Sequence, residues 1–193
     1  PNLANLSSDR ASTMGATFSR VIDEASAIRP FGRAVPWWGE ALLAAGPLAV
    51  GMYIGYSQRE NTTGMWYKTL NRPSWEPPRW VFPVAWTLLY SAMGYASLRA
   101  YRAGASQLGM GLYAAQLLAN FAWTPIFFEH HNISLAAKDM TALIGLVGAT
   151  AFHFNKVDPM SAQLLYPYLA WLGYAGAINL YILKNNGAGK KQL

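Results

Sequence analysis

Residues 66 to 94 read Trp66-Tyr-Lys-Thr-Leu-Asn-Arg-Pro-Ser-Trp-Glu-Pro-Pro-Arg-Trp-Val-Phe-Pro-Val-Ala-Trp-Thr-Leu-Leu-Tyr-Ser-Ala-Met-Gly94, and they hold four tryptophans and four prolines. A proline inside a helix removes an N–H and crowds the preceding turn, so Pro73, Pro77 and Pro78 exclude a regular helix through their part of the chain. The sequence therefore predicts a stiff, shaped loop over 66–79, feeding a helix that begins near Trp80. Pro83 is tolerated in that helix, because the first turn has no N–H partner to lose. A loop this aromatic is either a cover over something beneath it or an anchor in a membrane interface.

The rest of the chain suits both settings. Of its 193 residues, 53% are hydrophobic and only 12% are charged, against about 25% charged in a soluble domain. Working outward from the loop, five apolar stretches approach the roughly 20 residues that a bilayer core requires. They run over about 37–57, 80–101, 109–128, 134–153 and 159–183. The expected fold is an all-α membrane protein, a bundle of five transmembrane helices with a long Trp/Pro-rich connection between the first two. The short connections at 102–108, 129–133 and 154–158 make consecutive helices antiparallel neighbours. Asp158-Pro159 is a helix start, a capping carboxylate followed by proline at the first helical position. A kink is expected at Pro167.

The five-helix domain is placed at 37–185. Before it, residues 1–36 form a polar extension, read as a targeting remnant, an interfacial helix or a partner-binding tail. After it, 186–193 form a short basic tail. With no cysteine in the chain, disulfides and thiolate chemistry are excluded. The net charge of +6 is scattered rather than striped along a helix, which fits lipid headgroups and not nucleic acid. Lys and Arg divide almost evenly between the two sides, with a lean of the C-terminal side toward the cytosol.

Candidate functional residues emerge from the helical faces. In the third span, Gly111, Ala115 and Ala119 recur every four residues, a small-residue stripe that seats a neighbouring helix or a second protomer. About 120° away lie Tyr113, Gln116, Asn120, Trp123 and Phe127, whose amides are costly against lipid and so should face the bundle interior. The second span offers Trp86, Tyr90 and Gly94 on one face. The fifth offers Tyr168, Trp171, Ala175 and Ile178. Three helices presenting indoles, phenols and amides suit a large, flat, mostly apolar ligand such as a tetrapyrrole or a sterol. Trp75 and Trp80 in the loop would close one end of that pocket. Catalytic motifs are absent from the sequence: no nucleophile–base pair, phosphate loop or metal-ligand spacing appears, and His130, His131 and His153 fall at span ends. The residues do not call for an enzyme or an obligatory cofactor.

The run 66–95, together with Leu-Tyr-Ala-Ala-Gln-Leu-Leu-Ala-Asn-Phe-Ala-Trp-Thr-Pro-Ile-Phe-Phe at 112–128 and Leu-Leu-Tyr-Pro-Tyr-Leu-Ala-Trp-Leu-Gly-Tyr-Ala-Gly-Ala-Ile-Asn-Leu at 164–180, resembles the translocator protein, or tryptophan-rich sensory protein, family. That resemblance implies a five-helix membrane bundle, commonly dimeric, which binds porphyrin or haem, sterols and benzodiazepine-site ligands under the first loop. It implies residence in a mitochondrial membrane, the outer by resemblance with the inner left open, or in a bacterial membrane. Some bacterial relatives are linked to light-dependent porphyrin breakdown, and the two tryptophans that matter there resemble Trp86 and Trp171. The alternatives to a ligand-binding protein are therefore a porphyrin-degrading enzyme and an accessory subunit of a larger membrane complex. The family's sterol-contact pattern is met only in a loosened form, Ile178-x-x-Tyr181-x-x-Lys184, because Leu180 stands where its tyrosine would be.

Overall fold

The computed structural model describes residues 35–186, and among them there is helix and no strand. In chain order the helices are α1 (Trp37–Ser57), α2 (Arg59–Thr63), α3 (Met65–Thr69), α4 (Val81–Arg102), α5 (Gln107–Thr124), α6 (Ile133–Asn155), α7 (Pro159–Gln163) and α8 (Tyr166–Asn186). Five of them are long, and they fall on the five predicted spans. The expectations for the N-terminal extension and the basic tail lie essentially outside the described residues. Two helices, α4 and α6, are long and apolar enough by themselves to cross a membrane.

Three local expectations are corrected, each by the geometry of a proline or its absence. The connection predicted as loop over 66–79 is helical at its start, since α3 carries Trp66 and Tyr67; no proline intervenes until Pro73, so 65–69 is free to coil. Only 70–80 is irregular. The third span does not run as α-helix to 128. It passes into a π-helical turn over Pro125–Glu129, closed by the His130 amide donating to the Pro125 carbonyl at 2.9 Å. Pro125 has no N–H for the regular ladder, and the wider turn takes up the mismatch. The fifth span is broken rather than kinked. α7 stops at Gln163 and α8 starts at Tyr166, which puts Pro167 in a first turn where its missing N–H costs nothing.

Three helix starts carry a side-chain cap, at Asp158 as the sequence predicts and at Ser106 and Asn132 besides. Ser106, Asn132 and Asp158 each accept from a backbone amide three residues on, at 3.1, 3.0 and 3.2 Å. Asp158 also receives two bonds from Arg99, at 2.9 and 3.0 Å. That pair ties the end of α4 to the start of α7.

Packing follows small residues, as expected where lipid removes the hydrophobic drive between helices. α1 lies along α4, α5 along α6, and α6 along α8. At the α1–α4 crossing a Cβ on Gly94 would sit 2.0 Å from the Ala44 carbonyl oxygen, so only glycine fits there. Gly51 lies under the Tyr90 ring in the same way, while Gly55, one turn on, faces open space. α4 and α8 meet differently. Their backbones do not pack closely, and the gap between them is filled by aromatic side chains. The outer surface keeps large apolar groups exposed, among them Trp37, Met52, Tyr53, Leu88, Leu118 and Leu180.

Candidate functional site

The aromatic seam between α4 and α8 is built from the faces that the helical spacing aligned. Trp86 stacks on Tyr90 at 5.1 Å between centroids and meets the edge of Tyr168 at 6.1 Å, while Phe82 meets Trp171 at 5.9 Å. A hydrogen-bond chain crosses the interior just behind these rings. The Tyr90 hydroxyl donates to Asn120 Oδ1 at 2.6 Å, and Asn120 Nδ2 donates to the Tyr168 hydroxyl at 2.8 Å. Tyr113 donates to the Met93 carbonyl at 3.1 Å. Asn120 therefore knits α4, α5 and α8 together with its carbonyl and one amide hydrogen in use.

Other interior polar groups have no partner. Gln116 is 1% exposed and Asn179 is 2% exposed, yet neither amide oxygen nor nitrogen of either residue makes a hydrogen bond. The indole nitrogens of Trp123 and Trp171 and one carboxylate oxygen of Asp139 are likewise buried and unpaired. A group of this kind that nothing matches costs about 1–3 kcal/mol. Buried water or a guest with its own donors and acceptors is what such groups can accept.

Above the seam the 70–80 connection is fastened at several points. The Asn71 amide donates to Asn186 Oδ1 at 2.9 Å, and Asn186 Nδ2 returns a bond to the Asn71 carbonyl at 3.0 Å. Tyr174 donates to the Trp75 carbonyl at 2.7 Å, and the Trp75 ring lies against Tyr174 and Tyr181. Arg72 pairs with Glu76 at 2.5 Å and lies over the Tyr67 ring, whose hydroxyl also donates to Glu76. Burial, with the Glu76 bond and charge adding to it, pushes the Tyr67 hydroxyl well above the usual tyrosine range. Trp66 stacks on His131 at 4.0 Å, where His131 takes a positive φ of 52°, and Gln58 donates to Glu129 at 2.9 Å. The cover thus grips α8 on one side and the α5–α6 turn on the other.

The predicted site residues separate under this geometry. Trp86, Tyr90, Asn120 and Tyr168 come together, with Trp171 joined through Phe82 and Tyr174. Trp123 stacks on Phe127 at 5.0 Å, Gln116 is buried, and Ala175 packs half-buried against the same core. Trp80 is turned out and 68% exposed, so it is an edge residue and not part of the interior. Trp75 contributes its backbone and one ring face to the cover. Ile178 sits in the core beneath the cover, Tyr181 leans on Trp75 and Lys184 is exposed. Gly111 is exposed with nothing near it, while Ala115 and Ala119 are half-buried. Asn179 was not among the residues singled out from the sequence. It lies four residues, about one turn, beyond Ala175, so continuing the predicted face from that residue would have reached it.

Comparison with known proteins agrees with the residues. The TspO/MBR family model matches residues 43–184. A translocator protein from Bos taurus is 39% identical over 157 residues, covering 79% of this chain and 90% of that one. A translocator protein homolog from Schizosaccharomyces pombe is 44% identical over 156 residues, covering 77% and 92%. A tryptophan-rich sensory protein from Cereibacter sphaeroides is 39% identical over 121 residues, covering 63% and 77%.

Proposed function

Since this chain belongs to the TspO/MBR family of membrane proteins, we propose that it binds tetrapyrroles, and with less complementarity sterols, inside the bundle under the 70–80 cover. The observation that carries this reading is the seam itself: Trp86, Tyr168, Phe82 and Trp171 fill the gap between α4 and α8, with unpaired indole N–H groups buried on α5 and α8. Flat π-surfaces with a few fixed donors match a flat, mostly apolar ring system. A sterol offers one hydroxyl and no π-face, so it leaves more of those donors unmatched.

Titrating the purified protein in lipid nanodiscs with protoporphyrin IX tests the proposal. Tryptophan fluorescence should quench saturably, and the double variant Trp86→Phe, Trp171→Phe should lose about tenfold or more in affinity, corresponding to about 1.4 kcal/mol. Binding by the double variant equal to the parent would remove the pocket as assigned. A mitochondrial membrane, the outer one in particular, is the residence this reading carries, and protease protection of fractionated organelles tests it.

A further inference from the structure

Among the buried polar groups without a partner, one lies on the part of α8 that runs beneath the cover. Asn179 is 2% exposed and both its amide atoms lack a partner. Its height is set by its neighbours. Tyr174 and Tyr181, which hold Trp75, bracket it along α8, and Ile178 and Ile182 pack into the cluster that includes Tyr67, Leu70 and Phe127. Across from it stands α6. A Cβ on Gly176 would meet Met140 Cγ at 3.4 Å, so residue 176 faces residue 140; Asn179 is one turn on from Gly176 on packed α8, and Asp139 precedes Met140 on α6, about 100° around that helix. Asp139 has one buried carboxylate oxygen without a partner. Within a membrane helix an ionisable side chain that is not paired is a functional signal. Its neighbour Lys138 is exposed and about 100° away around the helix.

The two residues together offer two acceptors, Asp139 Oδ2 and Asn179 Oδ1, and the amide donors of Asn179. An ionised carboxylate on a ligand would be repelled by Asp139, and an ether or ester would leave both acceptors unmatched. A group that carries a donor beside an acceptor satisfies both sides at once. We infer that Asn179 and Asp139 form a polar subsite under the cover for the carboxamide, or the protonated carboxylic acid, of an otherwise flat apolar ligand. This rests on the interior ligand site proposed above and adds which end of the ligand points to the cover.

The test compares three forms of one porphyrin, protoporphyrin IX with its two side chains as the diamide, the free acid and the dimethyl ester, bound to the full chain in nanodiscs and followed by tryptophan quenching. The parent protein should bind the diamide about tenfold or more tightly than the dimethyl ester, the difference a pair of buried hydrogen bonds makes. The free acid should gain on the ester as pH is lowered and its carboxyl protonates. Asn179→Leu and Asp139→Leu should each bring the diamide down to the ester's affinity while leaving the ester within about twofold. Losing an unmatched buried amide does not harm the fold, so Asn179→Leu should also unfold at the parent's temperature or higher in the absence of ligand. Equal affinity of the parent for diamide and ester overturns the subsite, as does a diamide preference that survives both variants, the outcome if buried water matches these groups instead. If no form of the porphyrin binds the parent, the interior site itself falls, and the subsite with it. Binding of the ester alone separates the two failures.

Discussion

At the scale of single residues, interior amides that look alike in sequence have opposite roles. Asn120 is matched by Tyr90 and Tyr168, so Asn120→Leu strands two buried hydroxyls. It should cost about 2–4 kcal/mol, read as a lowered unfolding temperature in nanodiscs. Gln116, one turn away on the same face, has no partner. Gln116→Leu should leave ligand-free stability unchanged or raised by the same measurement. Spacing placed both residues in the interior, but it carried no information on which one the protein already satisfies. That depends on a tyrosine 48 positions away in the chain. Asp158 gives a prediction in pH. Hydrogen bonds from Arg99, then from Ser161, hold its carboxyl down to about 2, below its ordinary value of 3.8. The stabilisation is fully present above pH 4 and is lost as pH falls from about 4 through 2. Acid unfolding of the parent should therefore steepen in that window relative to Asp158→Asn, and the two should show the same pH dependence between pH 5 and 8.

At the scale of elements, helices read well and their ends read less well. Five apolar runs of bilayer length gave five long helices, because that length and apolarity are physical requirements of a span. The errors cluster at prolines. Pro125, Pro167 and the Pro73 region each allow more than one way to dispose of a missing N–H, and the choice among π-turn, break and loop is settled by neighbouring helices. The α1–α4 crossing offers a check of close packing. Gly94→Ala forces a Cβ into the Ala44 carbonyl, where backbone cannot yield cheaply. It should destabilise by roughly 1–3 kcal/mol, whereas Gly111→Ala meets nothing and should leave the unfolding temperature in place.

At the scale of the whole molecule, the part of the site that was legible is the set of inward faces on α4, α5 and α8. The part that was not is their closure. Nothing in the local sequence of Trp80 distinguishes it from Trp86, yet one is turned out and the other stacked inside, because only Trp86 lies a full turn into α4 on its inner side. Assembly is open to a direct measurement. The chain lacks cysteine, so Gly111→Cys introduces a single thiol on an exposed face. Oxidation in native membranes should yield a crosslinked pair if that stripe joins two protomers, and a monomer band would assign the stripe to lipid. The fastening of the cover has its own consequence. Asn71 and Trp75 tie it to α8, and Trp66 ties the helix before it to the α5–α6 turn, so arrival from the aqueous side must break several bonds at once. The seam between α4 and α8 is closed directly by ring edges, with the Tyr90–Asn120–Tyr168 bonds behind them and no side-chain hydrogen bond across the rings themselves. A guest already dissolved among the acyl chains meets the softer barrier, and its effective concentration is set in two dimensions. Its apparent affinity then scales with how strongly it partitions into the bilayer, and diluting the protein with more lipid at constant ligand should weaken binding, although no contact within the protein has changed.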